Sequence, residues 1–197
     1  MKLIIASNNK GKIREFKKIL EPMGYEVLSQ RESGIDVQPE ENGTTFEENA
    51  AIKARAIYAV SKSATLADDS GIVIDALGGQ PGVYSARYGT PDLDDEGRTA
   101  LVLKNMQGVP DEERTARYVA VIHFIDENGN EISVRGTCEG RIGHEPVGEN
   151  GFGYDPIFIY GDKTFAQHTE EFKNSVSHRA NALKALAERL SEISEGK

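Results

Sequence analysis

A run that reads as a buried strand carries two carboxylates at its centre, and that conflict limits what this chain can fold into. Ala64-Thr65-Leu66-Ala67 and Ile72-Val73-Ile74 are apolar enough to lie inside a fold, yet Asp68-Asp69-Ser70-Gly71 stands between them. Taking a charge out of water costs several kcal/mol unless a partner compensates. The fold must therefore bring compensating groups to positions 68 and 69. A hard divalent cation such as Mg²⁺ suits them, because it takes oxygen ligands and usually brings substrate phosphates with it. A turn is the other reading, with Asp and Ser capping backbone groups and Gly71 at a positive φ.

The flanking segments alternate in type. Leu3 to Ala6 reads as a short strand, followed by a helix with Ile13, Phe16, Ile19 and Leu20 on one face, ended by Pro22 and Gly24. Tyr25 to Ser29 reads as a second strand. A helix over about Thr45 to Lys62 carries the buried stripe Phe46, Ala50, Ala54 and Ile57, and Thr44 or Thr45 with Glu47 or Glu48 supplies a capping box. A third helix is expected over Asp94 to Met106. Tyr118 to Ile125 and Glu131 to Thr137 flank Asp126-Glu127-Asn128-Gly129-Asn130, a hairpin signal. The last helix begins near His178 and presents Ala180, Leu183, Leu186, Ala187, Leu190 and Ile193. Strands alternating with helices, then a long hairpin, predict an α/β fold with a mixed sheet and flanking helices, one domain over residues 1–197.

Composition narrows the function. The 197 residues carry a net charge of −9, which argues against a general affinity for nucleic acid. Any polyanionic ligand must be held by a local group of cations or by a metal. Cys138 is the single cysteine, so no internal disulfide or multi-cysteine zinc site forms, and it reads as a small core residue. No apolar run approaches the ~18 residues that span a bilayer, so a cytoplasmic protein with no membrane partner is expected.

Four further stretches can carry chemistry. Ser7-Asn8-Asn9-Lys10-Gly11-Lys12 lies between a strand and a helix N-terminus, where backbone N–H groups favour phosphate, although a capped turn with solvated lysines reads equally from these residues. Glu40 or Glu41 could complete a metal site with Asp69, or simply form a solvated acidic loop. Gly151-Phe152-Gly153-Tyr154-Asp155-Pro156 offers rings to stack on and an acceptor for a base edge, or else a core-facing turn capped by Asp155. Lys173 and then Ser177-His178-Arg179 put cations in the first turn of a helix, against its dipole, which points to a ligand or to an ion pair elsewhere.

Taken together and in order, Ser-Asn-Asn-Lys-Gly-Lys, Phe-Glu-Glu-Asn-Ala with Lys53, Asp-Asp-Ser-Gly, Tyr-Ser-Ala-Arg-Tyr, Phe-Gly-Tyr-Asp-Pro and Ser-His-Arg resemble the inosine triphosphate pyrophosphatase family, also described as XTP/dITP diphosphatases. The resemblance runs from Leu3 to about Leu190. It implies an elongated mixed sheet, two lobes around a nucleotide-binding cleft, and a homodimer. It also implies Mg²⁺-dependent hydrolysis of ITP, dITP and XTP to the monophosphate and pyrophosphate. By position, Ser7, Asn8, Asn9, Lys10, Gly11 and Lys12 would hold the triphosphate. Glu40 and Asp69 would bind Mg²⁺, Asp69 would accept the proton, and Ser70 would touch substrate. Phe152, Gly153, Tyr154 and Asp155 would line the base pocket, which Lys173, His178 and Arg179 complete. The residues leave open how Asp68 and Asp69 divide their labour. Two other functions stand beside this one: a pyrophosphatase of the septum-formation-inhibitor type with another base preference, and a nucleotide sensor without turnover.

Overall fold

The computed structural model describes residues 2–195, with side chains through residue 192. Strand β1 (Lys2–Ile5) is followed by helix α1 (Lys10–Leu20) and strand β2 (Glu26–Ser29), which pairs with β1 in parallel, Leu3 opposite Val27. A single 3₁₀ turn, Glu21–Met23, ends α1, with Gly24 beyond it at φ 89°. Helix α2 (Phe46–Ser61) starts at Thr45, whose hydroxyl accepts from the Glu48 N–H while the Glu48 carboxylate returns to the Thr45 N–H. Of the two capping boxes the sequence allows, this one forms; Glu47 instead pairs with Arg135 at 2.9 Å. Strand β3 (Thr65–Ile74), helix α3 (Asp95–Asn105) and the hairpin of β4 (Thr115–Ile125) and β5 (Glu131–Ile142) follow. Short strands β6 (Phe158–Tyr160) and β7 (Lys163–Thr164) and helices α4 (Glu170–Val176) and α5 (His178–Glu195) complete the chain. The sheet order is β2-β1-β3-β4-β5-β6-β7, parallel where β1 meets β2 and β3 and antiparallel where β6 meets β5 and β7. This is the expected mixed α/β sheet. Helix α4 was not foreseen, because seven residues are too few to show a helical period.

The chain forms two compact units. Residues 2–69, 120–136 and 179–195 make the first, and residues 70–119 and 137–178 the second. The first unit has two apolar clusters. One packs Leu3, Phe16, Leu20, Leu66, Leu183 and Leu186, joining α1 and α5 to the sheet. The other packs Ile4, Ala54, Ile57 and Ala67, joining α2 to it. Successive strand residues point to opposite faces, so Leu66 faces α1 and α5 while Ala67 faces α2. Ile193, expected on the same stripe of α5, lies outside the described side chains. The second unit is built around Ile72, Ile74, Val102, Tyr118, Phe158 and Phe165. Cys138 is buried there, and burial pushes its thiol up to about 12.

The turn reading of residues 68–71 is overturned: β3 passes through them unbroken. Gly71 is required for close approach rather than for a positive φ. A Cβ on it would collide with the Gly82 carbonyl and the Ser85 hydroxyl. That hydroxyl donates to the Gly82 carbonyl at 2.7 Å and accepts the Ile72 N–H at 2.9 Å.

Candidate active site

Strand alternation decides what the two central carboxylates touch. Asp68 shares the face of Leu66 and meets α1 and α5. Its Oδ2 pairs with Lys12 Nζ at 3.0 Å and Arg179 Nε at 3.3 Å, and Arg179 also reaches Glu15 Oε2 at 2.5 Å. Burial alone would raise the Asp68 pKa, but Lys12, Arg179 and Lys53 outweigh it and hold the carboxyl well below the usual range. Asp69 shares the face of Ala67 and meets α2. Its Oδ2 accepts from Asn49 Nδ2 at 3.1 Å, and Lys53 Nζ lies 3.6 Å from Oδ1. Here burial prevails over Lys53, Lys12 and Asn49, and the Asp69 pKa is raised. One carboxylate is held ionised by its cations; the other is tuned toward taking up a proton, as a general base requires.

Lys12 and Lys53 differ in the same way. Burial lowers the Lys12 pKa in spite of Asp68. Burial works against Lys53 too, but Asp69, Asp68 and Glu41 reverse it and raise the value. Glu41 binds Lys53 at 2.8 Å, whereas Glu40 is exposed. Asn49 cannot turn over, because its Oδ1 accepts the Gly43 N–H at 2.9 Å and so its amide N–H must face Asp69.

The helix α1 separates the two lysines expected to act together. Positions 10 and 12 lie about 200° apart around a helix. Lys12 points to Asp68, while Lys10 and Asn8 line a cavity of 1120 Å³ beside Arg14, Lys17 and Arg31. Ser7 and Asn9 act locally: Ser7 Oγ accepts the Asn9 N–H, and Asn9 caps α1 by accepting the Lys12 N–H, both at 3.1 Å.

The second unit holds the aromatic loop. Asp155 is buried and engaged: Oδ2 takes Lys173 Nζ at 2.6 Å and the Phe152 N–H at 3.0 Å, and Oδ1 takes the Tyr118 hydroxyl at 3.2 Å. It therefore caps its own loop and anchors Lys173, rather than pointing at a ligand as a lone acceptor. Lys173 Nζ sits 4.6 Å from the centre of the half-buried Phe152 ring. Tyr154 turns into the core, where its hydroxyl donates to the Ser85 carbonyl at 2.7 Å. This corrects the expectation of a stacking surface at Tyr154 and leaves that surface to Phe152.

Residues 3–189 match the sequence profile of the Ham1 family. The chain belongs to the Ham1 family. A dITP/XTP pyrophosphatase of Bacillus subtilis is 49% identical over 189 residues, which is 95% of this chain and 96% of that protein. Among solved structures, the Staphylococcus aureus Ham1 protein is 40% identical with a TM-score of 0.85, and a HAM1 protein from Coxiella burnetii is 38% identical with a TM-score of 0.86. Each comparison covers 98% of this chain and 99% of the other. The resemblance drawn from the motifs therefore identifies this Ham1-family chain correctly.

Glu15 and Tyr118 carry roles that no candidate stretch of the sequence contains, whereas Glu41, Asn49 and Lys53 stand among its candidates and motifs without the partners the structure gives them. Asn49 carried a readable signal, a buried amide three residues after Phe46 on an otherwise apolar stripe. Glu15 carried a weaker one, a carboxylate four residues before Ile19 at the margin of the α1 stripe.

Carboxylates are the donors that a hard cation needs, and Asp68 Oδ1 is buried with no hydrogen-bond partner. Among the described residues no group of three or more His, Cys, Asp or Glu could hold a metal. Mg²⁺ needs no such cluster, since it binds through one or two carboxylates and completes its shell with water and substrate phosphates; Asp69 is a carboxylate of that kind. No helix among the described residues is long and apolar enough to cross a membrane.

Proposed function

We propose that this protein hydrolyses the non-standard purine nucleoside triphosphates ITP, dITP and XTP to the monophosphate and pyrophosphate, acting in the cytoplasm as a homodimer. Asp69 carries the proposal: it is a buried carboxylate at the centre of β3, held in place by Asn49 at 3.1 Å and beside Lys53 at 3.6 Å. The similarity to dITP/XTP pyrophosphatases supports the substrate class, and lends no support to a pyrophosphatase of other base preference or to a sensor.

In this reading Asp69 takes the proton of a water that attacks phosphorus, contributing ~10²–10⁴-fold. Asp69 and Glu40 would hold Mg²⁺. When bound, the metal polarises the phosphate and draws charge off the leaving pyrophosphate. Lys12 and Lys53 face the phosphates, and the turn 7–9, the start of α1 at Lys10 and Gly11, and Ser70 add backbone and side-chain donors. Phe152 offers its ring to the base, with Gly153 beside it, and Tyr154 and Asp155 hold that loop in shape. His178 donates to the 6-oxo group, with Lys173 beside Phe152; Arg179, expected in the base pocket from sequence, is instead taken up by Glu15 and Asp68. Adenine would set its 6-amino group against that donor, a mismatch of ~1–3 kcal/mol.

Pyrophosphate release measured across ITP, dITP, XTP, ATP, GTP and modified pyrimidine triphosphates, with Mg²⁺ and with chelator, tests this. Release from the three non-standard purines, abolished by chelator, is expected. Preference for pyrimidines, or binding without release, would reject it.

A further inference from the structure

The residues proposed to read the base share a support that belongs to none of the motifs. Tyr118, in β4, is buried among Phe158 and Phe165, whose ring centres lie 4.6 and 5.9 Å away. Its ring also stacks on the His178 imidazole, with centres 4.7 Å apart and 11° between planes. Its hydroxyl donates to Asp155 Oδ1 at 3.2 Å, and the other oxygen of that carboxylate holds Lys173 Nζ and the Phe152 N–H. One strand residue thus touches the imidazole through its face and the Asp155–Lys173 pair through its edge.

We infer that Tyr118 is the positioning residue that sets base preference, by fixing the plane of His178 and the location of Lys173. The inference rests on the function proposed above and names a determinant of its selectivity. The ring N–H groups of a histidine donate in the plane of the imidazole, so whatever fixes that plane fixes where the donor aims. A hydrogen bond weakens steeply once its angle falls toward ~120°. Tyr118 is itself clamped by two phenylalanines on a sheet strand, and a site built on rigid elements holds its donors more closely than a loop does. The hydroxyl has a separate task. A buried phenol needs a partner, and by donating to Asp155 it keeps Oδ1 occupied, so the carboxylate presents Oδ2 to Lys173 and to the loop carrying Phe152. A phenylalanine would fill the same space and keep the stack, but would leave Oδ1 without that donor.

The test uses the full-length protein and two variants, Tyr118→Phe and Tyr118→Leu, with kcat and KM for ITP and ATP and a thermal melt of each. Tyr118→Phe should narrow the ratio of kcat/KM for ITP over ATP by ~3-fold, the scale of one hydrogen bond. Tyr118→Leu, which also frees the imidazole plane, should narrow it by ~10-fold or more, because selectivity against a group depends on a well-placed polar contact. The loss should come from ITP, with ATP turnover equal or raised. A purely structural role would lower the melting temperature and slow both nucleotides alike; an unchanged ratio in Tyr118→Phe and Tyr118→Leu overturns the inference. Should Tyr118→Leu not fold, Tyr118→Phe decides by itself. A wild-type enzyme with no preference for ITP is a different failure, which removes the functional reading beneath this one.

Discussion

The two units bury charge in opposite ways. In the first, Glu15, Lys12, Lys53 and Arg179 surround Asp68 and Asp69 of β3, and each ion is tolerable only because others neutralise it. In the second, one ion pair, Asp155–Lys173, sits within Phe152, Phe158, Phe165 and Tyr118. Under the proposed function, the first arrangement would serve the phosphates and the cation, and the second the base. The lesson is that dense ionic packing makes stability and chemistry hard to separate, while an aromatic frame lets them be tuned apart.

Removing the reactive charge should break the comparison most sharply. Asp69→Asn keeps the shape and the Asn49 contact on one oxygen, yet loses the base and a metal ligand. Turnover should fall by ~10³-fold or more, about 4 kcal/mol of barrier, with a near-normal melt. Initial rates of pyrophosphate release check it, and near-normal turnover would take Asp69 out of the mechanism.

Arg179 is next. From the sequence, cations at the start of α5 oppose the helix dipole, so their removal looks harmless or slightly stabilising to the free protein. The structure reverses that expectation, because Arg179 joins Glu15 to Asp68 in a buried cluster. Arg179→Ala should cost about 3 kcal/mol of unfolding free energy, since breaking a buried pair leaves its partners uncompensated. Chemical denaturation reads this directly. A loss below about 0.5 kcal/mol, the range of ordinary surface substitutions, would mean that the cluster contributes little.

The smallest effect separates the two lysines of α1. Lys12→Ala should weaken triphosphate binding by about 2 kcal/mol, the scale of a hydrogen bond to a charged group. Lys10→Ala, on the other face of the helix, should cost less than about 1 kcal/mol, as an exposed charge does. Isothermal titration with a non-hydrolysable ITP analogue compares them, and equal losses would put both on the phosphates.

The elements and their faces are legible in the amino-acid sequence. Periodicity placed Phe16 and Leu20 of α1 and the Phe46, Ala50, Ala54 and Ile57 stripe of α2 in the core, because burial follows local spacing that a chain displays in one dimension. The motif order likewise determined the family. Which charge meets which is set by folding in three dimensions. Asp68 and Asp69 are neighbours in sequence and indistinguishable there. Strand alternation sends one to α1 and α5 and the other to α2, and partners more than 100 residues away, such as Arg179, complete the difference. Tyr118 is illegible in sequence for the same reason: on a strand it is one more core aromatic, and its meaning lies in the imidazole and carboxylate that folding sets against its face and edge. Long-range electrostatics and ring contacts depend on distances in space, and separation along the chain does not encode them.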